Sequence, residues 1–149
     1  MKIKRGVPEH VLVDPRDHTK LAHFNWHHSH NGYYHAYIGG KKVRLHRFIM
    51  GAQQGQIVDH INGNRLDNRR CNLRFATKSQ NAMNTGLRAD NKSGFKGVSW
   101  DKKKELWTAR IRVGSQYKFL GYFTDPADGG SAYMRAATRY FGDFARTSW

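Results

Sequence analysis

Four residues within the stretch VDHINGNRLDNRRCNLRFATKSQNAMN, residues 58–84, have types and spacing suited to one kind of chemistry. Asp59 and His60 are adjacent, Asn72 follows twelve residues after His60, and Asn81 nine after Asn72. Hydrolysis of a phosphodiester needs a base to make water nucleophilic, a cation to offset transition-state charge, and help for the departing oxygen. An imidazole, with an ordinary pKa of about 6.5, suits the base. Asp59 and the Asn81 side-chain carbonyl are oxygen ligands of the kind Mg2+ prefers, the remaining positions being water and substrate phosphate. Asn72 is placed to hold the loop or the imidazole by hydrogen bonds. A calcium loop does not fit, because oxygen ligands do not recur at alternate positions and no Glu closes the segment.

The elements that must position these groups are legible around them. QIVDH reads as a short strand, followed by a polar loop rich in Asn and Arg, then CNLRF as a second strand. TKSQ has the form of a capping box, with Thr77 and Gln80 reciprocally placed, so a helix should begin near Lys78 and stop before Gly86. Adjacent residues of a regular strand face opposite ways, so Asp59 and His60 share a site only if the strand ends or bends there. Asn62-Gly63 makes that plausible. Asn81 and Asn84 share a helix face, and Asn81 is favoured as the ligand.

The segment resembles the ββα-metal fold of HNH nucleases, and most of all the phage and intron-associated homing-type endonucleases, in the pattern VDHINGN, LDN, NLR, NAMN. The resemblance implies Asp59 as metal ligand, His60 as general base, Asn72 as scaffold and Asn81 as metal ligand. With Asn rather than His at the last position this is an HNN form, which favours Mg2+ or another oxygen-preferring cation such as Mn2+ over zinc. The upstream LHRFIMG resembles the family's lead-in, so the likeness covers roughly residues 5–85.

The rest of the chain agrees with an anionic partner. Its 149 residues allow one ordinary domain or two small ones. Lys and Arg number 26 against 11 Asp and Glu, a net charge of +15, which favours polyanions. The excess is 14 − 5 = +9 over residues 1–84 and 12 − 6 = +6 over 85–149, so neither half is a neutral domain with a basic tail. No apolar run approaches the roughly 18 residues of a membrane span. MKIKRGVPEH opens like a leader, but no apolar stretch follows. A cytoplasmic location is expected, that of the host cell if the gene is phage-borne. The single Cys71 excludes an intramolecular disulfide and a multi-cysteine zinc site. All nine histidines lie at or before His60. His27, His28 and His30, with no carboxylate beside them, read as exposed hairpin or DNA-facing residues rather than a metal cluster. His46 lies just before the motif, either packed behind the site or touching phosphate.

Before the motif, HVLVD reads as a strand ahead of a Pro-Arg-Asp turn. YYHAYI and KKVRLHRFIM read as a hairpin about Gly39-Gly40. Trp26, Tyr34, Leu45 and Phe48 are expected core. After it, residues 85–92 read as a linker. GFKGVSW, LWTARIRV and YKFLGYF then read as three strands. Trp107, Ala109, Ile111 and Val113 share one face of the second, Thr108, Arg110 and Arg112 the other. A helix follows Pro126, with Ala132, Ala136 and Tyr140 on one side and its first turn weakened by Gly129-Gly130. This half resembles the plant Apetala-two / ethylene-response-factor DNA-binding domain, which is also found appended to HNH homing endonucleases. That likeness implies a sheet laid in the major groove. Lys96, Ser99, Arg110, Arg112, Lys118 and Tyr122 fall at the contact positions, and Lys102 and Lys103 in the first turn are expected at phosphate. Ser99 and Asp101 stand where the plant pattern has arginine, so its target sequence does not transfer.

The expected protein is thus α+β. It has an HNH endonuclease domain at 1–84 with the metal motif about 56–85, and a DNA-binding domain at 93–149. The partner is double-stranded DNA, no membrane is involved, and the protein acts as a monomer that nicks or a homodimer that cuts both strands. A DNA-binding regulator that keeps the HNH fold without cleaving is the alternative. An RNA-binding module would need exposed aromatics on the sheet face, for which Tyr117 and Phe119 are the candidates.

Overall fold

A computed structural model describes residues 6–146; the first half of the leader-like stretch MKIKRGVPEH lies outside them. The fold is α+β, as the sequence implies; the described residues form three separate antiparallel sheets, several short helices and one longer helix. The chain divides into two compact units, Met1–Lys78 and Ser79–Trp149.

In the first unit, β1 (His27–His28), β2 (Tyr34–Ile38) and β3 (Lys41–Arg44) form a meander, and β4 (Ile57–His60) pairs with β5 (Leu73–Ala76). The expected strand at HVLVD does not form. Leu12 makes only an isolated bridge to Asp67, and Pro15–Asp17 and α1 (His18–Leu21) follow as helical turns. The strand expected over 41–50 stops at Arg44, where α2 (Leu45–Ile49) begins. Leu45 and Ile49 are four apart and both buried, so the apolar period at this point is that of a helix. The core gathers Leu21, Trp26, Tyr34, Leu45, Val58 and Leu73, with Phe48 half-buried against it. Val58 and Leu73 belong to the β4–β5 hairpin, so the lead-in residues are what the hairpin packs on. Arg70 adds a second fastening. Its guanidinium meets both Asp17 carboxylate oxygens at 2.9 and 2.8 Å, and its backbone N–H donates to Asp14.

In the second unit, which α3 (Lys78–Met83) enters, β6 (Val98–Asp101), β7 (Leu106–Val113) and β8 (Gln116–Phe123) form a three-stranded sheet. The helix α4 (Pro126–Phe141) packs on one face of it. Pro126 opens α4 and the Asp125 carboxylate accepts from the Ala127 amide at 2.8 Å, an N-cap worth about 1 kcal/mol. The buried side of α4 is Tyr133, Ala137 and Phe141, meeting Ile111. This is one residue on from the expected Ala132, Ala136 and Tyr140, the last of which is exposed. Gly129 and Gly130 are buried, and a Cβ on Gly130 would collide with the Phe95 ring. The glycine pair that weakens the helix therefore lets it approach the sheet.

Strand β8 carries an extra residue. Ala109 pairs with Gly121 and Arg110 with Phe119, leaving Leu120 unpaired. A bulge of this kind reverses the alternation beyond it. Phe119 and Tyr122, three apart, thus lie on one face with ring centroids 4.9 Å apart.

Candidate active site

Strand β4 ends at His60, and both members of the Asp59-His60 pair are buried, 8% and 4% exposed. Asp59 is registered opposite Arg74 on β5, whose Nε and Nη2 donate to Asp59 Oδ2 at 3.1 and 2.9 Å. The guanidinium fixes the carboxylate's orientation. His60 Nε2 lies 3.2 Å from Oδ1 of Asn68, which is 1% exposed. When Nε2 carries the proton it donates to that oxygen, and Nδ1 is the basic nitrogen. Burial lowers the His60 pKa, with Asn68, Asp59 and Asp67 opposing the shift. The ring is therefore neutral at neutral pH, the state a base requires.

Asn72 fastens the loop between the strands. Its Oδ1 accepts from the Asn62 amide at 3.0 Å, and its Nδ2 donates to Asn62 Oδ1 and to the Asp67 carbonyl at 2.9 and 2.8 Å. Asp67 in turn holds Arg69 through both carboxylate oxygens. These bonds set the position of Asn68, and so of His60. Asn81 lies half-buried on α3, in the second compact unit.

Among the neighbours of His60, sequence reasoning had His46 packed behind the site or touching phosphate, and missed Tyr33 and Asn68. His46, on α2, has its ring centroid 4.9 Å from that of His60. Its pKa is pushed down to about 3, by burial first and then by the charges of His60, Arg44 and Arg47. Tyr33 packs against both rings, at 5.1 Å from His46 and 6.0 Å from His60. Two guanidiniums, Arg44 and Arg65, lie over the Tyr33 ring at 5.0 and 4.7 Å. Positive charge therefore gathers beside the imidazole, where a phosphate would need it. The sequence signals were the place of His46 just before the motif, and LHRFIMG and LDN as parts of the family pattern, without a role for Asn68.

Among the described residues no three His, Cys, Asp or Glu side chains gather as metal ligands. His27 and His28 lie exposed on β1, the first opposite His35 with rings 6.0 Å apart, the second against Tyr34. His30 is exposed beyond them. A buried carboxylate such as Asp59 suits a hard divalent cation that keeps several of its own waters and takes further oxygens from a phosphate. The donors present thus fit magnesium-type chemistry better than a histidine-cysteine zinc site.

The second unit presents unevenly the residues expected to contact DNA. Ser99, Arg110, Arg112 and Tyr122 are exposed on the sheet face turned away from α4, beside exposed Tyr117 and Phe119. Lys118 lies elsewhere. It pairs with Ile111 on the helix side, its Nζ 5.4 Å from the Tyr140 ring. Lys96 Nζ donates to the Met83 and Thr85 carbonyls at 2.9 and 2.8 Å, and burial lowers its pKa. Lys102 and Lys103 are exposed in the β6–β7 turn, where Asp101 accepts from the Lys103 and Lys104 amides at 3.0 and 3.2 Å. Asp101, where the plant pattern has arginine, shapes that turn.

Comparisons with known proteins bear on the family of the chain. No solved structure matches the chain. Residues 44–83 match the HNH endonuclease family, a span running from the end of β3 through α3 and including His46, Asp59, His60, Asn72 and Asn81. Protein 3.8 of Escherichia phage T7 is 39% identical over 112 residues, covering 71% of this chain and 91% of that protein. An uncharacterized HNH endonuclease of Acanthamoeba polyphaga mimivirus is 31% identical over 131 residues, covering 84% of this chain and 67% of the relative. No helix among the described residues is long and apolar enough to cross a membrane. With a buried, neutral histidine beside a carboxylate at the end of the first strand of a ββ hairpin, and relatives that match across most of its length, the chain belongs to the HNH endonuclease family.

Proposed function

We propose that the chain is a metal-dependent, homing-type DNA endonuclease whose chemistry is centred on His60. The observation that carries this reading is the buried imidazole, held neutral and anchored through Nε2 by Asn68 beside Asp59. His60 Nδ1 takes a proton from the attacking water. Asn72 keeps the 61–68 loop in shape so that Asn68 stays under the ring. Arg44 and Arg65 bring positive charge to the phosphate. Asp59 and Asn81 would hold Mg2+, or Mn2+ in its place, which when bound offsets charge on the transition state and the departing oxygen.

The second unit is the DNA-gripping domain, roughly residues 93–149 after a linker at 85–92, in the manner of the Apetala-two resemblance. Support comes from Ser99, Arg110, Arg112 and Tyr122 sharing an exposed sheet face, where arginine pairs with guanine edges in the major groove. Lys102 and Lys103 sit at one end of that sheet, suited to phosphate. Lys96, tied to the Met83 and Thr85 carbonyls, and Lys118, exposed on the helix side, do not share that face. A monomer nicks; cutting both strands takes a homodimer or two visits.

The test is a supercoiled-plasmid assay with Mg2+, with EDTA, and with His60→Ala in parallel, on DNA that carries a site the protein binds. Nicked circles should need both the metal and His60, while His60→Ala keeps its DNA affinity within about twofold. Binding without cleavage under every metal condition would instead identify a DNA-binding regulator that retains the HNH fold.

A further inference from the structure

We infer that the second unit carries, apart from its exposed arginine face, a cleft that takes an unpaired base of single-stranded DNA. The inference rests on the reading of this unit as a DNA-binding domain. The cleft encloses about 660 Å3 between residues 88–93 and the β6–β7 edge, within the roughly 300–1,000 Å3 of small-ligand sites.

Three observations define its occupant. The first is aromatic. Trp100 and Trp107 are cross-strand partners, ring centroids 5.3 Å apart at 69°, and Trp100 is 47% exposed. An indole this open on an edge strand offers a flat π face for stacking, worth a large factor in affinity per base. The second is charge. Arg88, Lys92 and Lys102 line the cleft against a single carboxylate, Asp90, which already pairs with Arg88 at 3.0 Å. The third is that the opposite wall is built in advance. Asn91 Oδ1 accepts from the Gly94 amide at 2.7 Å, Asn91 Nδ2 donates to the Phe95 carbonyl, and Ser93 Oγ donates to the Val98 carbonyl at 2.9 Å. Residues 91–95 are thereby tied to the start of β6.

Cations alone would suit any phosphate chain. The indoles decide between double and single strands. In a duplex each base face is covered by its stacked neighbours, so only phosphates and groove edges are available. An unpaired base has its face free and brings its own phosphate, which matches an aromatic wall rimmed by lysine and arginine.

The experiment is fluorescence anisotropy with the full chain in EDTA, so that no cleavage intervenes. Its probes are labelled dT15, an abasic deoxyribose-phosphate oligomer of equal length, and a duplex. Wild type should bind dT15 more tightly than the abasic oligomer. Trp100→Ala should weaken dT15 binding about tenfold while leaving the duplex and the abasic oligomer within twofold, and Trp100→Tyr should restore most of the loss. Equal binding of dT15 and the abasic oligomer, no effect of Trp100→Ala, or parallel loss of duplex binding would each overturn the inference. Duplex binding that depends on Arg110 and Arg112 without any dT15 binding would sink the cleft alone. Binding of neither would sink the DNA-binding reading as well.

Discussion

Lowering the pH from 7 to 5 should loosen the first unit and spare the second, and His46 sets the size of the effect. Its imidazole is 4% exposed, lies against His60 and Tyr33, and faces the charges of Arg44 and Arg47. The folded pKa is about 3 against 6.5 for the free side chain. Between those values the unfolded chain binds the extra proton and the folded one does not. Stability is therefore full above pH 6.5 and is lost progressively as pH falls toward 3. At pH 5 the loss from His46 alone is about 2 kcal/mol, rising to about 5 kcal/mol below pH 3. His60, shifted in the same direction, adds to it. The second unit has no histidine, since all nine lie at or before His60, and so serves as an internal control. Hydrogen exchange read by mass spectrometry and corrected for intrinsic rates would follow β4–β5 and β7–β8 peptides in one sample. The opening free energy of the first should fall by about 2 kcal/mol or more relative to the second, and His46→Phe should remove most of that difference. A relative fall under about 0.5 kcal/mol, or a His46→Phe protein with the wild-type pH dependence, would refute a neutral buried His46.

Three further outcomes follow from the packing. Asn68→Ala should lower single-turnover nicking about 10–100-fold, as the loss of a group that orients a reactive ligand commonly does, and wild-type rates would show that His60 needs no such anchor. Arg110→Ala and Arg112→Ala should each weaken binding to the preferred sequence by about 1–3 kcal/mol, and affinity should fall steeply with salt as counterions are released; titrations that show neither would remove the sheet face from DNA recognition. Gly130→Ala would raise helix propensity by about 1 kcal/mol, yet the new Cβ meets Phe95. The clash should dominate, giving a net destabilisation of about 1–3 kcal/mol in urea unfolding; a more stable variant would show that α4 does not approach the sheet this closely.

Local chemistry made much of this protein readable from its sequence. The Asp59-His60 pair, the two-strand order around Asn72, a helix beginning at Lys78, and the alternation that exposes Arg110 and Arg112 are all short-range patterns, and each element stands at the position its residues imply. Three kinds of feature depended on the tertiary structure. Which further groups surround His60 was one: His46 was legible from its place just before the motif, but Tyr33 reaches the ring from a segment far along the chain. Which face of β8 its side chains occupy was another. The unpaired Leu120 sends Lys118 toward α4 and joins Tyr122 to Phe119, and no periodicity announces one extra residue. The third was the meaning of Gly129-Gly130. As sequence the pair reads as a weak helix start, and it becomes a packing requirement only when Val98 and Phe95 occupy the space a side chain would take.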